Sequence, residues 1–162
     1  MASDMTEETN PFGVDPADLQ KYADSFNKSP ILELFGIHLE FPDPVTVRAT
    51  IDAPQPGHKG GRGESAAFNG GVLAALYDLV VGCAAATVDP RRQSATIQLS
   101  MNFERAVEGD TVIAEASVDR AGNTLVFVSA RILDGDRQVC SHGQGVVRMS
   151  RHTWKGSSPA DH

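Results

Sequence analysis

The sequence predicts an α+β domain in which a long antiparallel sheet wraps around one buried helix. Two observations predict it. Residues 69–86 are a helix-length apolar run interrupted by a single charge. Behind them come several long stretches in which apolar and polar residues alternate, as half-buried strands require. At 162 residues the chain is the size of one domain and long enough to bury an ordinary core.

Residues 1–14 are polar and broken by Asn10-Pro11 and Gly13, so they are expected to be a mobile tail. Asp15-Pro16 supplies an N-cap with proline in the first helical position. Leu19, Tyr22, Ala23 and Phe26 follow at helical spacing, predicting a short amphipathic helix to about Asn27. Ser29-Pro30 starts a second turn over residues 31–35 that ends at Gly36, with core packing the expected fate of its apolar side chains. Residues 37–41 and 45–51 read as two strands around Pro42-Asp43-Pro44, and Val45, Val47, Ala49 and Ile51 form one face. Residues 54–65 are a Gly-rich loop holding His58, Lys59 and Arg62, without the order of a phosphate-cradling P-loop. It reads either as a solvated loop, His58 included, or as a lid over a nucleotide-bearing ligand.

The central helix opens at Asn69-Gly70-Gly71 and closes near Asp89-Pro90. Apolar residues surround it, which marks a core helix, and the run is short for a bilayer span of ~20 residues. Asp78 is the anomaly. Its neighbours at three and four positions are Ala74, Ala75, Val81 and Gly82, so no cation along the helix neutralises it. Either the helix exposes a narrow edge through Tyr77 and Asp78, or the carboxylate has a functional reason to be there. At the other end, Gly70 and Gly71 leave the helix N-terminus open to an anion or a developing oxyanion. Gly70 and Asp78 lie 78 − 70 = 8 positions apart, about 12 Å at ~1.5 Å per residue. One small reacting group cannot easily meet both on one helix. Two copies packed antiparallel would bring the Asp of one beside the glycines of the other.

Asp89-Pro90-Arg91-Arg92 is a basic turn, and strands then follow in series. Ile97, Leu99, Met101 and Phe103 are expected on one face of the first, with Thr96, Gln98, Ser100 and Asn102 on the other. Val112, Ala114, Ala116 and Val118 alternate in the next. Residues 124–133 form a nearly continuous apolar strand, turned back at Asp134-Gly135-Asp136. Residues 137–149 close the sheet, with Gly143 and Gly145 indicating a bulge or a close approach. Residues 150–162 read as a polar tail in which the single Trp154 has no evident role.

A net charge of −7 argues against nucleic acid or an anionic membrane as the main partner. Cys83 and Cys140 are expected to be buried thiols in a reducing compartment, and the His and Cys spacing suggests no metal site. The polar N-terminus lacks the apolar segment of a secretory signal, so a cytoplasmic location is expected. There is no Gly-x-Ser-x-Gly elbow. Ser141 and His142 are adjacent in a strand and point to opposite faces, so they cannot form a dyad.

Asn69-Gly70-Gly71 followed by Leu76-Tyr77-Asp78 and Gly82 resembles the His-Gly-Gly…Asp…Gly pattern of hotdog-fold acyl-CoA thioesterases of the PaaI-like type. The similarity runs over residues 31–149 and includes the strand at residues 96–103. In this chain Asn69 stands where the family usually has His. The resemblance implies a hotdog domain over residues 15–149 with element order β-β-α-β-β-β-β. It also implies a homodimer, or a homotetramer of paired dimers, with the site across the interface. The implied substrate is an acyl-CoA or acyl-carrier thioester, with no cofactor beyond the CoA of the substrate. Implied site roles are Gly70 N–H polarising the carbonyl, Asp78 as general base or nucleophile, Thr96 assisting water, and Asn69 orienting the loop or the thioester. Gly71 would let the substrate approach closely, and Arg91, Arg92 or Lys59 would meet CoA phosphates. A dehydratase is disfavoured because no His stands on the core helix. A non-catalytic module that binds acyl-CoA or acyl-carrier thioesters through the same cleft is the alternative reading.

Overall fold

The computed structural model describes residues 9–60 and 66–154. Two short helices, α1 (Pro16–Phe26) and α2 (Pro30–Phe35), precede strands β1 (His38–Asp43) and β2 (Thr46–Ile51). Helix α3 (Gly70–Ala84) follows a loop, and then come β3 (Arg92–Phe103), β4 (Val112–Ala121), β5 (Leu125–Asp134) and β6 (Val139–Thr153). The expected order of elements therefore stands. All six strands pair antiparallel in the order β1-β2-β4-β5-β6-β3, and α3 packs on β2 through β6. This is the hotdog layout.

The core forms where Leu76, Val80, Val81 and Ala84 of α3 meet inward residues such as Val47, Ala114, Val128 and Val147. Two glycines of β6 make that approach possible. A Cβ on Gly143 would lie 2.6 Å from Tyr77 Cε1, and one on Gly145 would lie 2.6 Å from Val81 Cγ1. Of the two options for these glycines, close approach is the one realised; β6 keeps regular register there.

Several boundaries shift from the sequence reading. Residues 1–8 and 155–162 of the two expected tails lie outside the described residues, but Asn10 does not belong to a loose tail. Its Nδ2 donates to the carbonyls of Pro44 (2.8 Å) and Thr87 (2.9 Å), anchoring the N-terminal approach. β6 runs on to Thr153, so residues 150–153 are strand, held by the Arg92 guanidinium donating to the Ser150 carbonyl at 2.7 Å. The domain thus extends beyond residues 15–149 at both ends.

The two sheet edges are treated differently. On β1, Asn27 at the end of α1 donates to the Leu39 carbonyl and accepts from its N–H, both at 2.8 Å, so that edge is covered. On β3, no described residue pairs with the outward backbone, and Ile97 (56%) and Phe103 (50%) are exposed. An open edge of 12 residues is a template for pairing with another strand.

Candidate active site

Asn69 caps α3 as its chemistry predicts, with Oδ1 accepting from the Gly71 N–H at 2.8 Å. Its carbonyl accepts from Val72 and Leu73. Among the described residues nothing accepts from the Gly70 N–H, and Gly70 and Gly71 are exposed. The helix end therefore presents a free donor with the positive end of the helix dipole behind it.

Asp78 is exposed in the single chain, so α3 does expose a narrow edge there, as one of the two readings of this residue has it. The open edge of the helix carries Gly71, Asp78 and, half-buried, Ala75 and Gly82. Tyr77 is not on that edge. It is fully buried, and its hydroxyl donates to Ser141 Oγ at 2.7 Å, which in turn donates to the Asn102 carbonyl at 2.6 Å. Ser141 is thus a packing residue, while His142 points outward to Glu104 at 3.0 Å. Among the described residues Asp78 makes no hydrogen bond or ion pair.

Thr96 joins Asp78 for a local reason that the alternation pattern conceals. The β3–β6 register passes from Thr96↔Val147 to Gln98↔Val146, so Ile97 is an extra residue. Such a bulge reverses which residues point inward. Thr96 faces α3, its Oγ1 3.4 Å from where a Gly82 Cβ would lie, and Leu99 and Met101 beyond the bulge also pack on the core. The expected grouping of Ile97 with Leu99 and of Thr96 with Gln98 is therefore corrected.

Asp78 and Thr96 line one cleft of about 420 Å³ with Tyr22, Phe26, Leu79, Cys83, Ser94 and Trp154 among its walls. That volume and its mixture of apolar walls with a few polar groups suit a small ligand. Tyr22 and Phe26 stack at 5.2 Å, and the Tyr22 hydroxyl donates to Cys83 Sγ at 3.7 Å. Burial pushes the Cys83 thiol up to about 12, so it is no nucleophile near neutral pH. Cys83 and Cys140 are both free and buried. Trp154 thus has a place after all. Its signal was a lone tryptophan in an otherwise polar stretch. The aromatic face of α1 was legible as amphipathic but not as a wall of this cleft.

Asn69 and Gly70 do not line it. β3 runs beside α3 with its Thr96 end near Gly82 and its Phe103 end near Gly70, where a Gly70 Cβ would lie 3.9 Å from Phe103 Cε2. The helix-end donor and the carboxylate therefore sit apart along the line where α3 runs beside β3.

The basic candidates fare unequally. Arg91 forks onto Asp89, with Nε–Oδ1 at 2.9 Å and Nη2–Oδ2 at 3.2 Å. Arg92 is spent on the carbonyls of Ser150, Asn123 and Met149. Lys59 Nζ donates to the carbonyls of Ala66 (3.1 Å) and Gly109 and lies 4.3 Å from the centre of the Phe68 ring. Arg92 and Lys59 tie loops and strands together, whereas Arg91 only braces its own turn. A second groove of about 580 Å³, sharing Ser94 and Ala95 with the first, is instead lined by Arg148, Arg151 and His152. Arg148 points outward from the foreseen part of the last strand, and Arg151 and His152 lie on the end of β6 that the sequence did not announce. His58 also departs from expectation, being buried rather than solvated. Residues 61–65 of its loop, with Arg62, lie outside the described residues.

The sequence profile of the thioesterase superfamily matches residues 67–141. A Pseudomonas aeruginosa protein that carries an esterase name is 31% identical over 129 residues, covering 76% of this chain and 91% of that protein. A similarly named Thermoplasma acidophilum protein is 28% identical over 84 residues; there the chain spans 64% of the relative's length. Among solved structures, Escherichia coli PaaI from the phenylacetic acid degradation operon superposes with a TM-score of 0.73 at 17% identity. That match covers 85% of this chain and 97% of PaaI. A thioesterase family protein from Silicibacter pomeroyi gives 0.71 at 20% identity, over 82% of this chain and 97% of that one. With the fold, the helix-end motif and these relatives in agreement, the chain belongs to the thioesterase superfamily.

Proposed function

We propose that this protein is a PaaI-like acyl-CoA thioesterase that works as a homodimer, or as a homotetramer of such dimers, in the cytoplasm. The observation that carries the reading is Asp78. An exposed carboxylate with no partner among the described residues shares an aromatic-walled cleft with the Thr96 hydroxyl. A stabilising role would give that carboxylate a cation, and among the described residues it has none.

The dimer follows from that separation of donor and carboxylate. If two β3 edges pair antiparallel, the Asp78–Thr96 end of one copy meets the Gly70 end of the other, and the same open edge is covered. The Gly70 N–H of one subunit then donates to the thioester carbonyl, and Asp78 of the other faces the carbonyl carbon. Acting as general base, Asp78 takes a proton from water as its oxygen bonds to that carbon. The oxyanion forms on the Gly70 donor, the C–S bond breaks, and the thiolate leaves to take up the proton. Acting as nucleophile, Asp78 itself bonds to the carbon, the C–S bond breaks and the thiolate leaves; water then cleaves the resulting anhydride to free acid and the Asp78 carboxylate, and its released proton goes to the thiolate. Thr96 holds the water in either route, and Asn69 fixes the donor. The acyl body lies against Tyr22, Phe26 and Trp154. Arg148, Arg151 and His152 line the adjoining groove and suit the CoA phosphates.

Free-thiol release from a panel of acyl-CoAs tests this. Turnover of at least one acyl-CoA is expected. Tight binding without thiol release would instead favour the non-catalytic module, a reading that Asn69 in place of His keeps in view.

A further inference from the structure

The Gly70 donor is useful only if the loop that delivers it is fixed, and the loop is fixed through His58. Asn69 precedes the helix, and its N–H donates to the His58 carbonyl at 2.8 Å. His58 is itself held on two sides. Its ring stacks on Phe35 of α2, with centroids 6.2 Å apart and planes 9° apart, and Nδ1 accepts from the Gln55 N–H at 3.0 Å. Only 5% of its surface is exposed. The adjoining residues form a small ladder against the approach to α3: Lys59 bridges Phe68, the Gly60 N–H donates to the Ala67 carbonyl at 2.8 Å, and the Phe68 N–H donates to Val107 at 2.8 Å. His58 is where this ladder, α2 and the helix cap meet.

We infer that His58 is a positioning residue for the Gly70 oxyanion donor, acting through its Nδ1 acceptor and the Asn69 N–H that its own carbonyl receives. This rests on the reading that Gly70 meets the thioester carbonyl. Imidazole here serves as a rigid plate carrying one acceptor. The ring fixes the plate against Phe35, and Nδ1 sets the turn at residues 55–58 from which the carbonyl points to Asn69. His58 touches no reacting atom. Misplacing a preorganised donor lowers turnover more than it lowers binding.

Two variants separate the acceptor from the ring. His58→Phe keeps the stacking plate and loses the acceptor. His58→Asn loses the plate but sets Oδ1 where Nδ1 was. The expected result is a crossing. His58→Phe should lose about ten- to hundredfold in kcat with KM within about twofold of wild type. His58→Asn should recover kcat to within about threefold despite a lower Tm. Hydrogen exchange of the amides of residues 69–73 provides a readout independent of turnover: faster in His58→Phe and restored in His58→Asn. Should His58→Phe not fold, His58→Gln, which moves the acceptor away from the δ position, carries the same expectations. Wild-type kcat and wild-type exchange in His58→Phe would overturn the inference, as would His58→Asn impaired equally with His58→Phe in both. If the wild-type protein turned over no thioester, the functional reading would fall, while the exchange measurements would still decide what His58 does for the helix end.

Discussion

Asp78 and Glu115 are two carboxylates on elements that pack together, and their surroundings could hardly differ more. Glu115 in β4 is buried and takes Arg48 Nη2 at 2.8 Å, Arg131 Nη2 at 2.9 Å and Arg137 Nη2 at 3.0 Å. Arg48 also reaches Glu40 at 3.0 Å. Burial alone would push the Glu115 carboxyl up; the guanidiniums of Arg137, Arg48 and Arg131 outweigh it and hold the carboxyl below its ordinary range. Asp78 has no such escort among the described residues and faces a cleft. A carboxylate placed for stability is neutralised by its fold, whereas the role proposed for Asp78 requires one left able to meet a substrate.

The largest effect separating the two is on rate. Asp78→Asn should lower kcat by about 10²–10⁴-fold, since a base or nucleophile is lost. Because Asp78 is exposed, stability should move by less than about 0.5 kcal/mol. Steady-state thiol release and a melting curve on the same preparation check both halves, and an unchanged kcat would return Asp78 to the role of an ordinary surface residue.

Glu115→Gln should do the reverse. Removing the charge leaves three arginines without their shared partner, but two of them are half-exposed. The loss should therefore be about 1–3 kcal/mol, with kcat within about twofold of wild type. The pH dependence has a definite sign. The folded-state pKa of Glu115 is depressed, so its contribution is fully present above the unfolded-state value of about 4.3. It is lost as pH falls through the folded-state value. Melting temperatures of wild type and Glu115→Gln should differ at neutral pH and converge in acid; a constant gap would mean that the carboxylate's charge is not what stabilises.

Smaller still, Asn69→Ala should cost about 1 kcal/mol through the lost cap and also reduce kcat, because the Gly70 donor shifts. Asn69→Asp should keep the cap and its stability while slowing turnover, since a negative charge beside a developing oxyanion opposes it. Neutral behaviour of Asn69→Ala in both measurements would cut the link between cap and site.

Much of this was legible in the sequence because it depends on local patterning. The N-cap at Asn69, an apolar helical run (read to residue 86, where α3 ends at Ala84), the alternation of Val47, Ala49 and Ile51, and Gly143 and Gly145 as either a bulge or a close approach are all written in neighbouring residues. What could not be read depends on register or on residues distant in the chain. The bulge at Ile97 reverses the facing of β3 and brings Thr96 to Asp78, yet a bulge leaves no trace in a strictly alternating strand. Trp154 and Tyr22, 132 positions apart, line one cleft only because β6 is longer than its alternation indicates. His58 looked solvated because its neighbours are glycine and lysine, and nothing nearby in sequence announces the Phe35 ring. The fate of Arg92 and Lys59 was hidden likewise, since their acceptors are backbone carbonyls that only the fold brings close, whereas the Asp89 that Arg91 meets lies two residues before it in the chain.

The central claim is that Asp78 of one subunit works with the Gly70 N–H of another, and mixed dimers test it most directly. Gly70 occupies the first position of α3, and Asn69 before it is extended at φ −66° and ψ 137°. Proline fits both requirements, so Gly70→Pro deletes the donor hydrogen with little strain on the helix. Each of Asp78→Asn and Gly70→Pro alone should be nearly inactive. When the two are unfolded and refolded together in equal amounts, half the dimers are mixed and each carries one intact site of two, so about a quarter of wild-type activity should return. If donor and carboxylate came from the same subunit, no mixture would hold an intact site, and activity staying at the level of the separate variants would contradict the account.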